Sequence, residues 1–166
     1  MTPFGAALHA LAQRRLTQAQ LWKKLERKGF DDTTIRDVIA RCLADGLLDD
    51  QLFARLFIES VRKPVGNARL VGQLVSRGID PQVASDSVGM HEVSEHDRCT
   101  AASLRAVKRN PNVSYACLAR SLERCGFPAS IIYRVLREHA REHGPMSSLG
   151  SDGDYMQRDY SNDSGG

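Results

Sequence analysis

Two leucines four residues apart, followed four residues later by glycine and a large apolar residue, form a pattern that occurs three times in 166 residues. Leu21, Leu25 and Gly29-Phe30 open the series. Leu70, Leu74 and Gly78-Ile79 repeat it 49 residues on, and Leu118, Leu122 and Gly126-Phe127 follow after a further 48. Residues at i and i+4 share a face on a helix, and glycine readily takes the left-handed conformation that ends one. After each glycine a second apolar helix begins, with Ile35/Val38/Ile39, then Val83/Ala84/Val88, then Ile131/Ile132/Val135/Leu136. A period near 48 residues in helical segments predicts tandem modules that each contact mainly their neighbours.

Residues 16–57 spell the unit most fully. Thr17 followed by Gln20 is a capping box, and Leu21, Trp22 and Leu25 then form an apolar face. The next helix carries Ile35, Val38, Ile39, Cys42 and Leu43 at i, i+3, i+4, i+7 and i+8, and Gly46 takes the left-handed position after it. Asp49 caps a further helix of about residues 50–62, with Leu48 and Phe53 placed as a hydrophobic staple. That helix is expected to bury Leu52, Phe53, Leu56, Phe57 and Val61, before Lys63-Pro64-Val65-Gly66 breaks it. An earlier helix ending near Arg14–Arg15 is expected to bury Phe4, Ala7, Leu8, Leu11 and Ala12. Asp80-Pro81, Ser94 with Asp97, and Ser114 supply later helix starts. The resulting expectation is an all-α chain of three tandem three-helix modules forming an elongated solenoid, with modules over 1–49, 50–92 and 93–143. Residues 144–166, rich in Gly, Ser and Asp, are expected to be a disordered acidic tail.

At 42% hydrophobic and 26% charged residues, the composition is that of a globular protein, and no run nears the ~18 apolar residues of a membrane span. The N-terminus has its basic residues after its apolar ones, the reverse of a signal peptide. Cys42, Cys99, Cys117 and Cys125 contain no CxxC pair and read as reduced thiols. A cytoplasmic protein with no membrane contact is expected. The net charge of +3 is uneven: residues 1–143 hold 22 Lys/Arg against 16 Asp/Glu, whereas 144–166 hold one Arg and four Asp. A basic body points to an anionic or acidic partner.

Motifs for catalysis are missing. There is no GxxxxGK[ST], GxGxxG or GxSxG. His139-Ala-Arg-Glu142-His143 spells HxxEH, a zinc signature, but it ends the last predicted helix and runs into Gly144-Pro145, so it is assigned no metal. His91, His96 and Cys99 have the wrong spacing for a zinc knuckle. The expectation is a non-enzyme with no catalytic, cofactor-binding or metal-binding residues and no cofactor.

Function is therefore sought on outward faces. In register, these are Gln20, Lys23, Lys24 and Arg27; Arg69, Gly72, Gln73 and Ser76; and Cys117, Arg120, Ser121 and Arg124. Modules one and three each present basic residues four apart. The candidate partner-binding surface comprises Lys23, Lys24, Arg27, Arg62, Lys63, Arg69, Arg120 and Arg124.

Gly46-Leu-Leu-Asp-Asp-Gln-Leu-Phe-Ala54, followed by Gly66-xxx-Leu70-xxx-Leu74-xx-Arg77-Gly78-Ile79 and flanked by the other two repeats, resembles the RecX family of bacterial recombination regulators over about residues 4–141. The resemblance implies a curved helical protein that lies in the groove of the RecA recombinase filament. There it restrains filament growth, ATP hydrolysis and strand exchange in recombination and SOS repair, with no cofactor. It also implies weak contact with single- or double-stranded DNA; a monomer is expected. Gly72, Gln73 and Ser76 stand where the family is typically rich in Arg and Lys, which shifts DNA contact towards modules one and three or leaves it weak. Two other readings are a general helical DNA-binding protein without specific RecA contact and an adaptor for another acidic partner.

Overall fold

A computed structural model describes residues 1–146, and these contain nine helices and no strand. The helices are α1 (Pro3–Gln13), α2 (Gln18–Arg27), α3 (Asp32–Ala44), α4 (Asp50–Ser60), α5 (Asn67–Ser76), α6 (Pro81–Gly89), α7 (Glu95–Arg109), α8 (Tyr115–Arg124) and α9 (Ala129–His143). They pack as three trios, α1–α3, α4–α6 and α7–α9. The expected tail lies outside the described residues from position 147 onward.

Most helix starts follow the chemistry read from the sequence. Thr17 Oγ1 accepts from the Gln20 amide while Gln20 Oε1 accepts from the Thr17 amide, at 3.1 and 3.2 Å, completing the capping box. Asp49 accepts from the Leu52 amide at 2.9 Å, Ser94 from Asp97 at 3.0 Å, and Ser114 from Cys117 at 3.2 Å. Asp80 receives the Gln82 and Val83 amides, with Pro81 just inside the helix. Each cap satisfies backbone donors that a helix start leaves without partners.

Two apolar faces differ from expectation. Helix α1 buries Ala6, Ala7 and Ala10, while Leu8 is 40% exposed and Ala12 faces solvent. The alanine stripe faces the core and leaves Phe4 and Leu11 partly covered at its margin. The Arg41 guanidinium lies 3.9 Å from the Phe4 ring centre, tying α3 to α1. In α4 the buried residues are Ala54 and Ile58; Leu52, Phe53, Phe57 and Val61 are half-buried and Leu56 is exposed. That helix ends at Ser60, two residues early, where the Ser60 hydroxyl donates to the Phe57 carbonyl and Val61 turns extended. Leu43, expected on the α3 stripe, is also 40% exposed.

The described chain forms two compact units: residues 1–62 with 67–92, and residues 63–66 with 93–146. In the first unit the opening two trios are stitched together around the start of α2. Thr17 Oγ1 donates to the Arg77 carbonyl at 2.7 Å, and the Gln18 amide donates to Asp50 Oδ1 at 3.0 Å. Gly78, at φ +88°, sits so close that a Cβ there would fall 2.2 Å from Ala19 Cβ. Leu16, Leu21, Leu25, Ile35, Val38, Ile39, Cys42 and Leu48 form the adjoining core.

In the second unit, Cys99, Leu118, Leu122, Phe127, Ile132, Val135 and Leu136 are the centre of the core. Residues 63–66, which precede α5 in the chain, belong to this unit. The Gly66 amide donates to the Cys125 carbonyl at 2.8 Å, and the buried Arg98 donates from Nη1 to the Val65 carbonyl and from Nε to Val93. Gly66 lies against the Gly126 backbone, where a Cβ would fall 2.1 Å from the carbonyl oxygen. In repeat register Gly66 takes the place of Thr17, and Cys125 that of Arg77. The same backbone approach is thus made twice, once through a hydroxyl and once through an amide.

Candidate partner-binding surface

On α2, Lys23 and Arg27 are exposed one helical turn apart, while Lys24 is half-buried beside them. Arg27 Nε donates to the Lys23 backbone carbonyl at 3.2 Å, which lays the Arg27 side chain back along the helix. Gln20 is not an outward group: its side chain closes the capping box and is half-buried. On α8, Arg120 and Arg124 are likewise exposed at i and i+4. Arg120 Nη2 lies 3.8 Å from Cys117 Sγ. Cys117 itself packs against the core rather than projecting outward.

The middle repeat is different. Arg69 and Gly72 are exposed, but Gln73 is half-buried, and its carbonyl accepts from Ser76 Oγ and Arg77 Nη1 at 2.8 and 2.9 Å. The Arg77 guanidinium stacks 4.3 Å from the Phe57 ring centre, so that cation serves packing between α4 and α5. Arg62 and Lys63 are both exposed, consecutive in the chain, and fall in different units. Five of the eight sequence-derived residues (Lys23, Lys24, Arg27, Arg62 and Arg69) lie in the first unit. Lys63, Arg120 and Arg124 lie in the second.

Charge divides unequally between the units. Over the described residues the first unit holds twelve Lys/Arg against eleven Asp/Glu, the second ten against five. Reading only the α2-equivalent helices missed the exposed Arg134, Arg137 and Arg141 on α9 and Arg105, Lys108 and Arg109 on α7. The α9 residues were signalled by an arginine-rich last helix, whereas Arg105, Lys108 and Arg109 lie on α7, outside the Leu-xxx-Leu helices that were compared.

Burial pushes the Cys99 thiol up to about 11, so it is protonated at neutral pH and a poor nucleophile. Burial raises the Asp50 carboxyl, and the hydrogen bond from the Gln18 amide opposes that shift. His139 and His143 stack with ring centres 4.5 Å apart at the end of α9, and burial lowers the His139 pKa. Among the described residues no group of three or more His, Cys, Asp or Glu is placed to hold a metal ion, and no helix is long and apolar enough to cross a membrane. A cavity of about 330 Å³ in the first unit is lined by Leu43, Leu48 and Val83 with Asp49, Asp50 and Asp80, a lining unsuited to an anion.

The pattern of the first three-helix domain of RecX matches residues 4–42, the α1–α3 trio that carries Lys23 and Arg27. Regulatory protein RecX of Amycolatopsis mediterranei is 32% identical over 146 residues, a span covering 84% of this chain and 83% of that protein. The chain belongs to the RecX family. RecX of Deinococcus radiodurans is 31% identical over 146 residues, covering 84% of this chain and 69% of its own length. The crystal structure of RecX from Lactobacillus salivarius superposes with a TM-score of 0.75 at 20% identity, over 82% of this chain and 93% of that one, and so shares the fold. In this RecX-family chain the α2 pair and the α8 pair thus occur within an architecture common to regulatory proteins.

Proposed function

We propose that this chain regulates the RecA recombinase by binding its filament and inhibiting ATP hydrolysis, filament growth and strand exchange in recombination and SOS repair. The observation that carries the reading is family membership over most of the chain, including the α1–α3 trio with its basic α2 face. The protein acts by binding, as a cytoplasmic monomer without cofactor. Lys23, Lys24, Arg27, Arg62, Lys63, Arg69, Arg120 and Arg124 supply contacts to acidic patches on RecA or to nearby DNA phosphates. Single exposed ion pairs are weak. Joining several in one chain makes the later contacts intramolecular, and the linked sites bind far better than any one alone.

RecA's ATPase on single-stranded DNA, titrated with this protein beside a DNA-only binding assay, tests the proposal. Inhibition at protein levels well below those of RecA is expected, with weaker binding to bare DNA. Inhibition only at levels that coat the DNA would instead identify a competing DNA binder, and no effect on RecA would overturn the proposal.

A further inference from the structure

The chain has four tyrosines, and they fall in two pairs. Tyr115, the first residue of α8, and Tyr133, on α9, lie in the second unit with ring centres 6.5 Å apart and planes within 18° of parallel. They are 37% and 51% exposed, whereas the Phe and Trp rings among the described residues are partly or fully buried. On α9, Arg137 and Arg141 follow Tyr133 at i+4 and i+8 and are exposed along the same side. Arg134 is engaged with Glu138 at 3.8 Å, but no described carboxylate pairs with Arg137 or Arg141. Two flat apolar rings are thus continued along α9 by two cations.

The other two tyrosines stand in residues 147–166, beyond the described ones, and each follows an aspartate: Asp154-Tyr155 and Asp159-Tyr160. With Asp152 and Asp163 this segment carries four carboxylates against one arginine, Arg158. It complements the α9 strip in both respects, since carboxylates suit guanidinium groups and tyrosine rings pack on tyrosine rings. The segment also starts in the right place. Gly144, at φ +85°, ends α9 with its amide donating to the Ala140 carbonyl at 2.9 Å, and Met146 then packs against the core of the second unit. The residues after Met146 can extend to roughly 65 Å, whereas the 15 residues of α9 rise only about 22 Å. Single exposed ion pairs are weak. The covalent link makes docking intramolecular, at an effective concentration of about millimolar.

We propose that the acidic segment 152–163 docks on the second unit of its own chain. Its Asp-Tyr pairs seat their rings on Tyr115 and Tyr133 and their carboxylates on Arg137 and Arg141, and so cover that face against outside polyanions. The contact lies within one chain and stands apart from recombinase binding, so RecA is left out of its test. Backbone-amide NMR of the full-length protein reads the contact directly. Tyr155→Ala/Tyr160→Ala, which leaves the net charge unchanged, should shift the signals of Tyr115, Tyr133, Arg137 and Arg141 while those of α2 and α3 stay in place. Asp154→Asn/Asp159→Asn should shift the same set. On a heparin column, with heparin as the outside polyanion, the tyrosine variant should elute at higher salt than the parent. On an Arg137→Ala/Arg141→Ala background the same tyrosine changes should leave elution unaltered. Coincident α8 and α9 signals in the parent and both variants would overturn the docking, as would a tyrosine variant that elutes with the parent. Parent signals that shift with protein concentration would put the segment on a second copy and overturn the intramolecular contact. A tyrosine effect that survives the arginine replacements would overturn the α9 strip as its seat.

Discussion

Gly29 and Gly78 share a backbone conformation, at φ +87° and +88°, and stand at equivalent points of the repeat. A Cβ on Gly29 meets nothing within 4 Å, whereas one on Gly78 meets Ala19 Cβ at 2.2 Å. Asparagine tolerates the left-handed region better than other residues. Gly29→Asn is accordingly expected to cost about 1 kcal/mol or less. Gly78→Asn adds a clash and a displaced Thr17–Arg77 contact, and should cost about 1–3 kcal/mol more; urea unfolding of the two variants measures the difference. Asp50 makes a second prediction at this scale. Its carboxyl is raised by burial, so the folded state binds its proton more readily than the unfolded one. Its contribution to stability is greatest below the ordinary aspartate value of 3.8 and is lost as pH rises through the folded pKa. Asp50→Asn keeps an oxygen for the Gln18 amide without the charge. The parent should therefore gain stability relative to this variant between pH 7 and pH 4, seen as converging or crossing urea midpoints.

Among the helices, α4 shows most plainly what an apolar pattern leaves open. Its sequence carries large residues around most of its circumference, and Ala54 with Ile58 takes the buried side. Ala54→Leu should overpack that contact and cost about 1–3 kcal/mol. Leu56→Ser, at an exposed position, should stay within about 0.5 kcal/mol; thermal unfolding distinguishes the two. The threefold repeat, its caps and its glycine stops were legible because each is a local rule that a few neighbouring residues satisfy. The faces of α1 and α4 were not, because small residues such as Ala6, Ala10 and Ala54 become the buried side only when another helix approaches closely enough to need them. The candidate surface divides in the same way. Lys23/Arg27 and Arg120/Arg124 could be read from helical spacing. That Gln20, Gln73 and Cys117 turn inward, and that Arg77 covers Phe57, depends on capping or on contacts with residues outside their own helices.

For the whole molecule, binding by several weak sites makes a graded prediction. Lys23→Glu/Arg27→Glu and Arg120→Glu/Arg124→Glu should each raise the concentration needed to inhibit RecA while leaving helical circular dichroism unchanged, and their combination should be worse than either. Unaltered inhibition by one pair would remove that face from the mechanism. Residues 63–66 have a different kind of consequence. They emerge from the ribosome directly after α4, yet the Gly66 amide, the Val65 carbonyl and the flank of Gly66 are matched by Cys125, Arg98 and Gly126. Those partners are synthesised only later. The nascent chain must carry an unfinished seam through the translation of α5 to α8, so no single cut can divide this protein into two self-sufficient halves.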